Sequence, residues 1–272
     1  MNSSLPDLSA PCTFSIVPLS FDSTNEQIFA FLNQITSFSV PFELIVVLEP
    51  ADVSGYIAWS SELANFNKKL VFLLSRVNSS SASKGGCLNK AISLSKGDYI
   101  VRADMDDIIF PHRLISLCDY INKFRVFPDL IYTDMVEART GRLLSYPPPS
   151  ALVYYSAFRN PLPAPTIIFR RLFFIEHDFA YPGINRCEDL SMAFSFIDSA
   201  AKIVKLTPPS VAYAGLNIFR DALNWKFNAI IRLRRNRMDF IGIMSLLFSR
   251  FAWAIYILLS LRFFAMKCYA SK

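Results

Sequence analysis

The first half of the chain alternates between short apolar runs and amphipathic segments with helical spacing. The run at 42–48 is almost continuous in apolar residues, as in a strand that is buried on both faces of a parallel sheet. The run at 70–74 predicts a further strand. Shorter runs at 14–17, 99–101 and 130–133 have the same β character. This alternation predicts an α/β fold in which an open, mostly parallel sheet is flanked by helices.

Three helices are predicted between these strands. In the first, the apolar residues recur at helical spacing: Ile28, Phe31, Leu32 and Ile35. Ser23 and Glu26 ahead of them have the spacing of a capping box. The second helix follows a polar, Ser/Gly-rich loop at 75–86, and Gly97 suits its C-terminal stop. Pro111 opens the third, where its missing N–H costs nothing. The apolar face of this third helix is predicted to contain Leu114, Ile115, Cys118 and Ile121.

The second half of the chain is less regular. We expect strands at 166–169 and 203–206 and a helix at 189–197, and a weaker helix is predicted at 54–66 in the first half.

An acidic cluster follows the fourth predicted strand, formed by Asp104, Asp106 and Asp107. In open α/β sheets, ligands bind beyond the carboxyl ends of the strands. Adjacent carboxylates repel one another unless a cation is shared, and Mg²⁺ or Mn²⁺ is the hard cation that carboxylates and substrate phosphates bind together. The alternative is a solvated acidic turn that caps the helix at Pro111. Phosphohydrolases that form an aspartyl-phosphate also use D-x-D, but on their first strand and followed by Thr or Val, where this chain has Ile108.

The charge distribution bears on the class of partner. Residues 220–272 contain 10 Lys/Arg and 2 Asp/Glu, whereas residues 1–219 contain 18 and 20. A nucleic-acid-binding protein has a basic patch on its folded body, and this body is slightly acidic. The sequence therefore indicates no nucleic-acid partner. The content of 53% hydrophobic residues excludes a disordered chain.

Cysteine and histidine usage excludes two further kinds of site. The five cysteines are scattered, with no C-x-x-C, so reduced thiols are expected rather than a disulfide framework. His112 and His177 are distant in sequence and lack clustered cysteines, which argues against a zinc site. The N-terminus has no basic region followed by an apolar stretch, so we expect no signal peptide and a body that faces the cytoplasm.

The stretch 84–114, KGGCLNKAISLSKGDYIVRADMDDIIFPHRL, resembles the central block of family 2 glycosyltransferases of the GT-A fold. It is similar in particular to the bacterial enzymes that build capsules, exopolysaccharides and lipopolysaccharide O-chains. The matching parts are a glycine-rich turn (Gly85 and Gly86), Leu-Asn-Lys (88–90), Lys-Gly-Asp-Tyr-Ile (96–100), the acidic block (104–108) and Pro-x-Arg-Leu (111–114). A second family block, a Thr-Val-Met-Phe-Arg-like strand before a helix that opens with Glu-Asp, resembles 166–170 and 188–190. The resemblance covers about residues 14–220.

The resemblance implies roles for the acidic residues. Asp104 and Asp106 would hold the divalent cation, Mn²⁺ or Mg²⁺, with Asp104 also contacting the donor and Asp107 in support. Asp189 would be the general base of an inverting single displacement, supported by Glu188, because a proton must leave the acceptor hydroxyl as it attacks the anomeric carbon. The alternative for this pair is two acidic residues that suit the first turn of a helix.

The resemblance also implies further residues that bind the nucleotide-sugar: Pro18, Glu49, Asp52, Lys84, Asn89 and Arg102. Arg102 would pair either with the acidic cluster or with a donor phosphate, and Lys84 would contact phosphate or be solvated. The chain departs from the family at 18–22, at 48–52, where Glu49 and Asp52 are the only acidic substitutes, and at Pro165, where a histidine is common. These departures leave donor identity open.

The C-terminal region 220–272 is predicted to be helical, and we separate it from a glycosyltransferase domain at 13–219. An arginine cluster, Arg232, Arg234, Arg235 and Arg237, precedes the mostly apolar segment 240–261. A helix of this length would extend about 33 Å, but Arg250 near its centre would cost roughly 2.5–3.5 kcal/mol at the bilayer midplane. Three alternatives follow: an interfacial anchor, a transmembrane helix or helices packed on the body.

We therefore expect an inverting glycosyltransferase with a UDP-linked donor and a lipid-linked glycan acceptor in surface polysaccharide biosynthesis. It would lie peripherally on the cytoplasmic face of the inner (plasma) membrane, at an anionic surface, with homo-oligomerisation left open. The alternative is a degenerate, non-catalytic member that binds nucleotide or partner proteins in a membrane assembly.

Overall fold

The computed structural model describes residues 12–19, 24–48, 71–76, 83–156, 160–183 and 188–214. Three groups of sequence-based predictions lie outside these residues: the weaker helix at 54–66, the side chains of Glu49 and Asp52, and the whole C-terminal region from 220. No helix among the described residues is long and apolar enough to cross a membrane.

The described residues contain nine strands that join in one sheet. Their bounds are β1 Phe14–Leu19, β2 Phe42–Leu48, β3 Val71–Arg76, β4 Tyr99–Asp104, β5 Ile108–Ile109, β6 Leu130–Glu137, β7 Leu143–Leu144, β8 Ile168–Arg170 and β9 Ile203–Tyr213.

The helices of the described part lie between these strands. Their bounds are α1 Asn25–Ile35, α2 Lys84–Leu94, α3 His112–Phe124, α4 Leu152–Tyr155, α5 Arg171–Glu176 and α6 Glu188–Asp198, with 3₁₀ turns at Pro149–Ala151 and Ala164–Thr166.

The order of the strands is β3-β2-β1-β4-β8-β6-β9-β5, and β7 pairs with β6. The first four in this order run parallel, as do β6 and β9. Strand β8 lies antiparallel between β4 and β6, which the sequence did not predict. The expected α/β architecture, a mostly parallel sheet flanked by helices, is confirmed. Because Pro18 pairs with Ala103 and Leu19 with Asp104, β1 and β4 end together at one edge of the sheet.

Around β1, β2 and β4 both faces of the sheet are buried, which explains the continuous apolar run of β2. On one face, Ile16, Leu44 and Val101 pack in a cluster that includes α1 and α3 side chains such as Phe31 and Leu114. On the other face, Val17, Ile45 and Ile100 pack in a second cluster, with α2 and α6 side chains such as Leu88 and Phe196. Each fully buried side chain of this size stabilises the fold by about 1.5–3 kcal/mol.

Three local features differ from the sequence-based expectations. The capping box of α1 is formed by Thr24 and Gln27, one residue after the predicted pair, because Thr24 Oγ1 accepts from the backbone N–H of Gln27. Ile115 of α3 is 37% exposed, whereas its neighbour Arg113 is 2% exposed. Residues 164–166, expected in part to begin a strand, form a 3₁₀ turn, and β8 begins at Ile168.

Gly97 has a role other than the predicted helix stop. Helix α2 ends at Leu94 with Ser95 as its C-cap in an extended conformation. A Cβ atom on Gly97 would lie 2.5 Å from Ser15 Oγ and 2.6 Å from the Ser15 backbone nitrogen. Glycine is therefore required here because the chain that leads into β4 passes directly against β1.

Candidate active site

The acidic cluster lies at the carboxyl end of β4, at the edge where β1 also ends. Strand β4 ends at Asp104, a turn carries Asp106 and Asp107, and Pro111 then caps α3. The three aspartates each have a carboxylate oxygen that lies within 4.8 Å of those of the other two. Asp106 is exposed, Asp104 is half-buried and Asp107 is buried. The cluster can therefore be reached from solvent while it is anchored in the sheet.

Asp107 is the aspartate whose surroundings fit a shared cation most clearly. Its Oδ1 accepts a hydrogen bond of 2.9 Å from the backbone N–H of Ala214. Its buried Oδ2 has no hydrogen-bond partner among the described residues. Burial, together with the charges of Asp104 and Asp106, raises the pKa of Asp107 to about 8. A hard divalent cation would supply the positive charge that this group lacks.

Arg102 connects the acidic cluster to the pair of acidic residues at the start of α6. Its side chain is 2% exposed. Nη1 donates to Asp104 Oδ1 and to the carbonyl oxygen of Ala103, and Nη2 lies 3.3 Å from Asp189 Oδ1. Burial opposes the charge of Arg102, but the carboxylates of Asp104 and Asp189 hold its pKa well above the ordinary value. Of the two contacts that the sequence left open for Arg102, the structure shows the pairing with the acidic cluster.

A second buried arginine supports this arrangement from α3. Arg113 Nη2 donates to the carbonyl oxygens of Arg102, at 2.7 Å, and Ile167, at 3.2 Å. Its Nε and Nη1 have no hydrogen-bond partner in the part of the chain that the structure describes. Burial and the charge of Arg102 lower the pKa of Arg113 to about 9. Sequence reasoning gave Arg113 no role. The signal that could have singled it out was its place in the Pro-x-Arg-Leu stretch at 111–114.

Glu188 and Asp189 form the first turn of α6. Burial and the adjacent charge of Asp189 raise the pKa of Glu188 to about 7. Burial also raises the pKa of Asp189, although the charges of Arg102 and Lys84 act in the opposite direction. The Asp189 side chain is 23% exposed, so this carboxylate is accessible to a ligand as well as bound to Arg102.

The first two turns of α2 are joined to the segment that precedes α6. Asn89 Nδ2 donates to the carbonyl oxygen of Tyr181, and the N–H of Tyr181 donates back to Asn89 Oδ1, both at 2.8 Å. A Cβ atom on Gly85 would lie 1.9 Å from the carbonyl oxygen of Pro182. Asn89, expected to bind the donor, thus uses its amide to hold the backbone of Tyr181.

Tyr181 places a buried phenol among the charged groups of the site. Burial raises the pKa of Tyr181, and its environment includes the charges of Arg102, Asp189 and Glu188. The phenol therefore remains neutral at physiological pH.

The remaining predicted site residues have different outcomes. Lys84 is the first residue of α2, and its charge acts on both Glu188 and Asp189. Pro18 is buried in β1 beside Ala103. Glu49 and Asp52 lie outside the described residues. The structure thus brings together the acidic cluster, Arg102, Lys84 and the Glu188 and Asp189 pair.

The architecture and the position of this acidic edge define a class: the chain has the fold of GT-A-type glycosyltransferases. No family model and no curated protein matches the sequence.

Solved structures similar to this chain include S. aureus TarS 1–349 in complex with UDP-GlcNAc, with a TM-score of 0.60 and 17% identity over 82% of this chain and 66% of that one. A mannosyltransferase from Pyrobaculum calidifontis, PcManGT, in complex with GDP-Man and Mn²⁺, has a TM-score of 0.58 and 16% identity over 94% of this chain and 78% of that one. The match spans 65% of the TarS 1–349 structure and 39% of a longer TarS structure.

Proposed function

We propose that this protein is a cation-dependent, inverting glycosyltransferase that moves a sugar from a nucleotide-diphosphate donor to a hydroxyl acceptor. The observation that carries the proposal is that Asp104 of the acidic cluster and Asp189 of α6 contact the same guanidinium, that of Arg102. A cation-binding group and a candidate base therefore face each other at the edge of a GT-A-type sheet, where ligands of open α/β sheets bind.

The donor side of the site consists of Asp104, Asp106 and Asp107, which would hold Mn²⁺ or Mg²⁺. When bound, the cation neutralises the charge that develops on the leaving diphosphate. The unpartnered oxygen of Asp107 and the proximity of all three carboxylates support this assignment. The PcManGT structure holds GDP-Man together with Mn²⁺, which supports the same kind of donor complex here.

On the acceptor side, Asp189 accepts the proton of the attacking hydroxyl. The acceptor oxygen forms a bond to the anomeric carbon as the bond from that carbon to the diphosphate oxygen breaks, and the proton passes to the Asp189 carboxylate. Because burial raises the pKa of Asp189, this carboxylate is a stronger base than a solvated aspartate. Glu188 supports it from the same helical turn.

The donor class in this proposal is a UDP-sugar, supported by the TarS complex with UDP-GlcNAc, with GDP-sugars as the competing class. The acceptor is a lipid-linked glycan at the cytoplasmic face of the inner membrane, with the product used in a surface polysaccharide. The sequence of 220–272, basic and apolar together, supports placement at an anionic membrane surface. Each arginine next to such a surface contributes roughly 1 kcal/mol.

Transfer assays of the full chain test the chemical part of the proposal. UDP- and GDP-sugars are supplied with Mn²⁺ or with EDTA, and lipid-linked glycans serve as acceptors. We expect Asp106→Ala and Asp189→Ala each to reduce transfer by about 100-fold or more. The control is Asp119→Asn, which removes an exposed carboxylate of α3 and should leave transfer unchanged. Full transfer by the two site variants would overturn the assignment. Metal-dependent nucleotide binding without transfer to any acceptor would favour the non-catalytic alternative, which the departures at 18–22 and 48–52 motivate.

Vesicle sedimentation tests the membrane part of the proposal. The full chain should sediment with anionic vesicles more than with neutral ones, and less at high salt. Replacing Arg232, Arg234, Arg235 and Arg237 by glutamine should reduce binding to the anionic vesicles, whereas Arg139→Gln with Arg142→Gln should not. Equal binding to anionic and neutral vesicles would contradict the electrostatic part.

A further inference from the structure

We propose that Arg102 is a positioning residue that fixes the carboxylate of Asp104 relative to that of Asp189. One guanidinium would thus set the geometry of both the donor side and the acceptor side of the site. The inference rests on the proposed glycosyl transfer and goes beyond it, because it assigns the alignment of the two sides to a residue that does not itself react.

The contacts of Arg102 lead to this assignment. Nη1 contacts Asp104 Oδ1 and Nη2 contacts Asp189 Oδ1, so the two ends of one planar group hold carboxylates that come from β4 and α6. A guanidinium presents its donors in a rigid fork, whereas an ammonium is a point charge on a flexible chain. Arginine can therefore fix the separation of two carboxylates in a way that lysine cannot.

The base of this fork is itself held in place. Arg102 Nη1 donates to the carbonyl oxygen of Ala103 at 2.8 Å, which ties the guanidinium to its own strand. Arg113 donates to the carbonyl oxygen of Arg102 and to that of Ile167. With 2% of its side chain exposed, Arg102 is enclosed by these groups and has little freedom to change rotamer.

Each of the two aspartates has one carboxylate oxygen in contact with Arg102 and a second oxygen for its role in the reaction. Arg102 donates hydrogen bonds to Oδ1 of Asp104 and to Oδ1 of Asp189. In the proposal, Oδ2 of Asp104 is turned toward the acidic cluster and Oδ2 of Asp189 toward the acceptor hydroxyl. A guanidinium that holds one oxygen of each group thus sets the direction in which the other oxygen points.

The test uses Arg102→Lys, which keeps the charge and can hold one carboxylate but not both. The kcat should fall by about 100-fold, the loss expected when a general base is misaligned. The affinity for UDP with Mn²⁺, measured by calorimetry, should fall by only about threefold, far less than kcat, because a single charge that engages Asp104 competes with the cation. In an Asp189→Asn background, Arg102→Lys should then change kcat by no more than about twofold, because both substitutions remove the same contact.

Arg170→Lys is the matched control. Arg170 lies on β8, away from the acidic cluster, and its guanidinium pairs with the carboxylate of Asp129 at 2.6 Å. Its replacement by lysine should lower thermal stability while leaving kcat unchanged. A kcat of Arg102→Lys near that of the wild type would overturn the positioning role. An equal loss of kcat from Arg102→Lys in the wild-type and Asp189→Asn backgrounds would also overturn it. A loss of UDP affinity with unchanged kcat would overturn it too, because that result indicates direct contact of Arg102 with the donor.

A second measurement leaves Arg102 in place, in case Arg102→Lys does not fold. In Asp189→Asn, the guanidinium loses its second charged partner and engages Asp104 alone, in competition with the cation. Affinity for UDP with Mn²⁺ should therefore fall by about threefold or more, as for a coupled pair. Glu188→Gln removes the neighbouring charge and should have a smaller effect. Equal effects of these two substitutions would overturn the proposal. Wild-type protein with neither transfer nor metal-dependent nucleotide binding would overturn the proposed function itself.

Discussion

Asn89 and Tyr181 exchange two hydrogen bonds of 2.8 Å, one in each direction, between the side chain of the first and the backbone of the second. The pair fastens α2 to the segment that precedes Glu188 and Asp189. The position of the candidate base therefore depends on a residue that lies in an earlier block of the sequence.

Asn89→Ala should destabilise the protein because it leaves two half-buried backbone groups of Tyr181 without their partners. We expect a loss of about 1–3 kcal/mol in the free energy of unfolding, measured by urea denaturation, together with a lower kcat. Ser93→Ala is the control, because Ser93 is exposed on the same helix and its hydroxyl bonds only the carbonyl of Lys90 among the described contacts. Equal stabilities of the two variants would contradict the structural role of Asn89.

Gly85→Ala should separate α2 from the segment at 181–183. Alanine favours a helix by about 1 kcal/mol relative to glycine, yet its Cβ would lie 1.9 Å from the carbonyl oxygen of Pro182. Overpacking of this kind costs typically about 1–3 kcal/mol, so unfolding should become easier and transfer slower. Gly183→Ala, on the other side of the same contact, has Ser83 Oγ at 3.9 Å as its nearest neighbour and should be tolerated. A stabilised Gly85→Ala variant with full activity would refute this packing.

Glu188→Gln should change the pH dependence of stability. The pKa of Glu188 rises from 4.5 to about 7 on folding, so the folded state binds more protons between these values. Wild-type stability from this group is therefore greatest below the unfolded pKa and is lost as the pH rises toward 7. Glutamine carries no charge, so the variant should gain stability relative to wild type between pH 5 and pH 8, by up to about 3 kcal/mol. Urea denaturation at both pH values measures this difference.

Glu176→Gln, at an exposed position of α5, provides the comparison for Glu188→Gln. Its stability relative to wild type should be nearly the same at the two pH values. If Glu188→Gln behaved in the same way, the burial of Glu188 would not produce a shifted pKa.

The sheet was predictable where its strands are buried on both faces. The bounds of β2 agree with the prediction because its apolar run is nearly continuous from Phe42 to Leu48. The antiparallel insertion of β8 was not predicted, since this strand has only three residues and its partners are distant in sequence. The predicted helix face of α3 was partly wrong, because Ile115 and Arg113 lie about 200° apart around the helix, on opposite sides of Leu114. Tertiary packing buries the side that carries Arg113 and leaves Ile115 exposed.

The candidate site was likewise predictable only in part. Local patterns placed the aspartates after β4 and the acidic pair at the start of α6. The contacts of Arg102 with Asp189, of Asp107 with Ala214 and of Asn89 with Tyr181 join residues far apart in the chain. No local spacing encodes such pairs. The sequence could therefore offer these residues as candidates, but it could not show which of them hold the others in place.

Calorimetric titration of UDP and GDP into the full chain is the measurement that tests the central claim most directly. With Mn²⁺ present, the wild-type protein should bind at least one of these nucleotides, and EDTA or the substitution Asp106→Ala should abolish the binding. Nucleotide binding that is unaffected by EDTA and by Asp106→Ala, or no binding of either nucleotide in the presence of Mn²⁺, would contradict the assignment of the acidic cluster as a cation-dependent donor site.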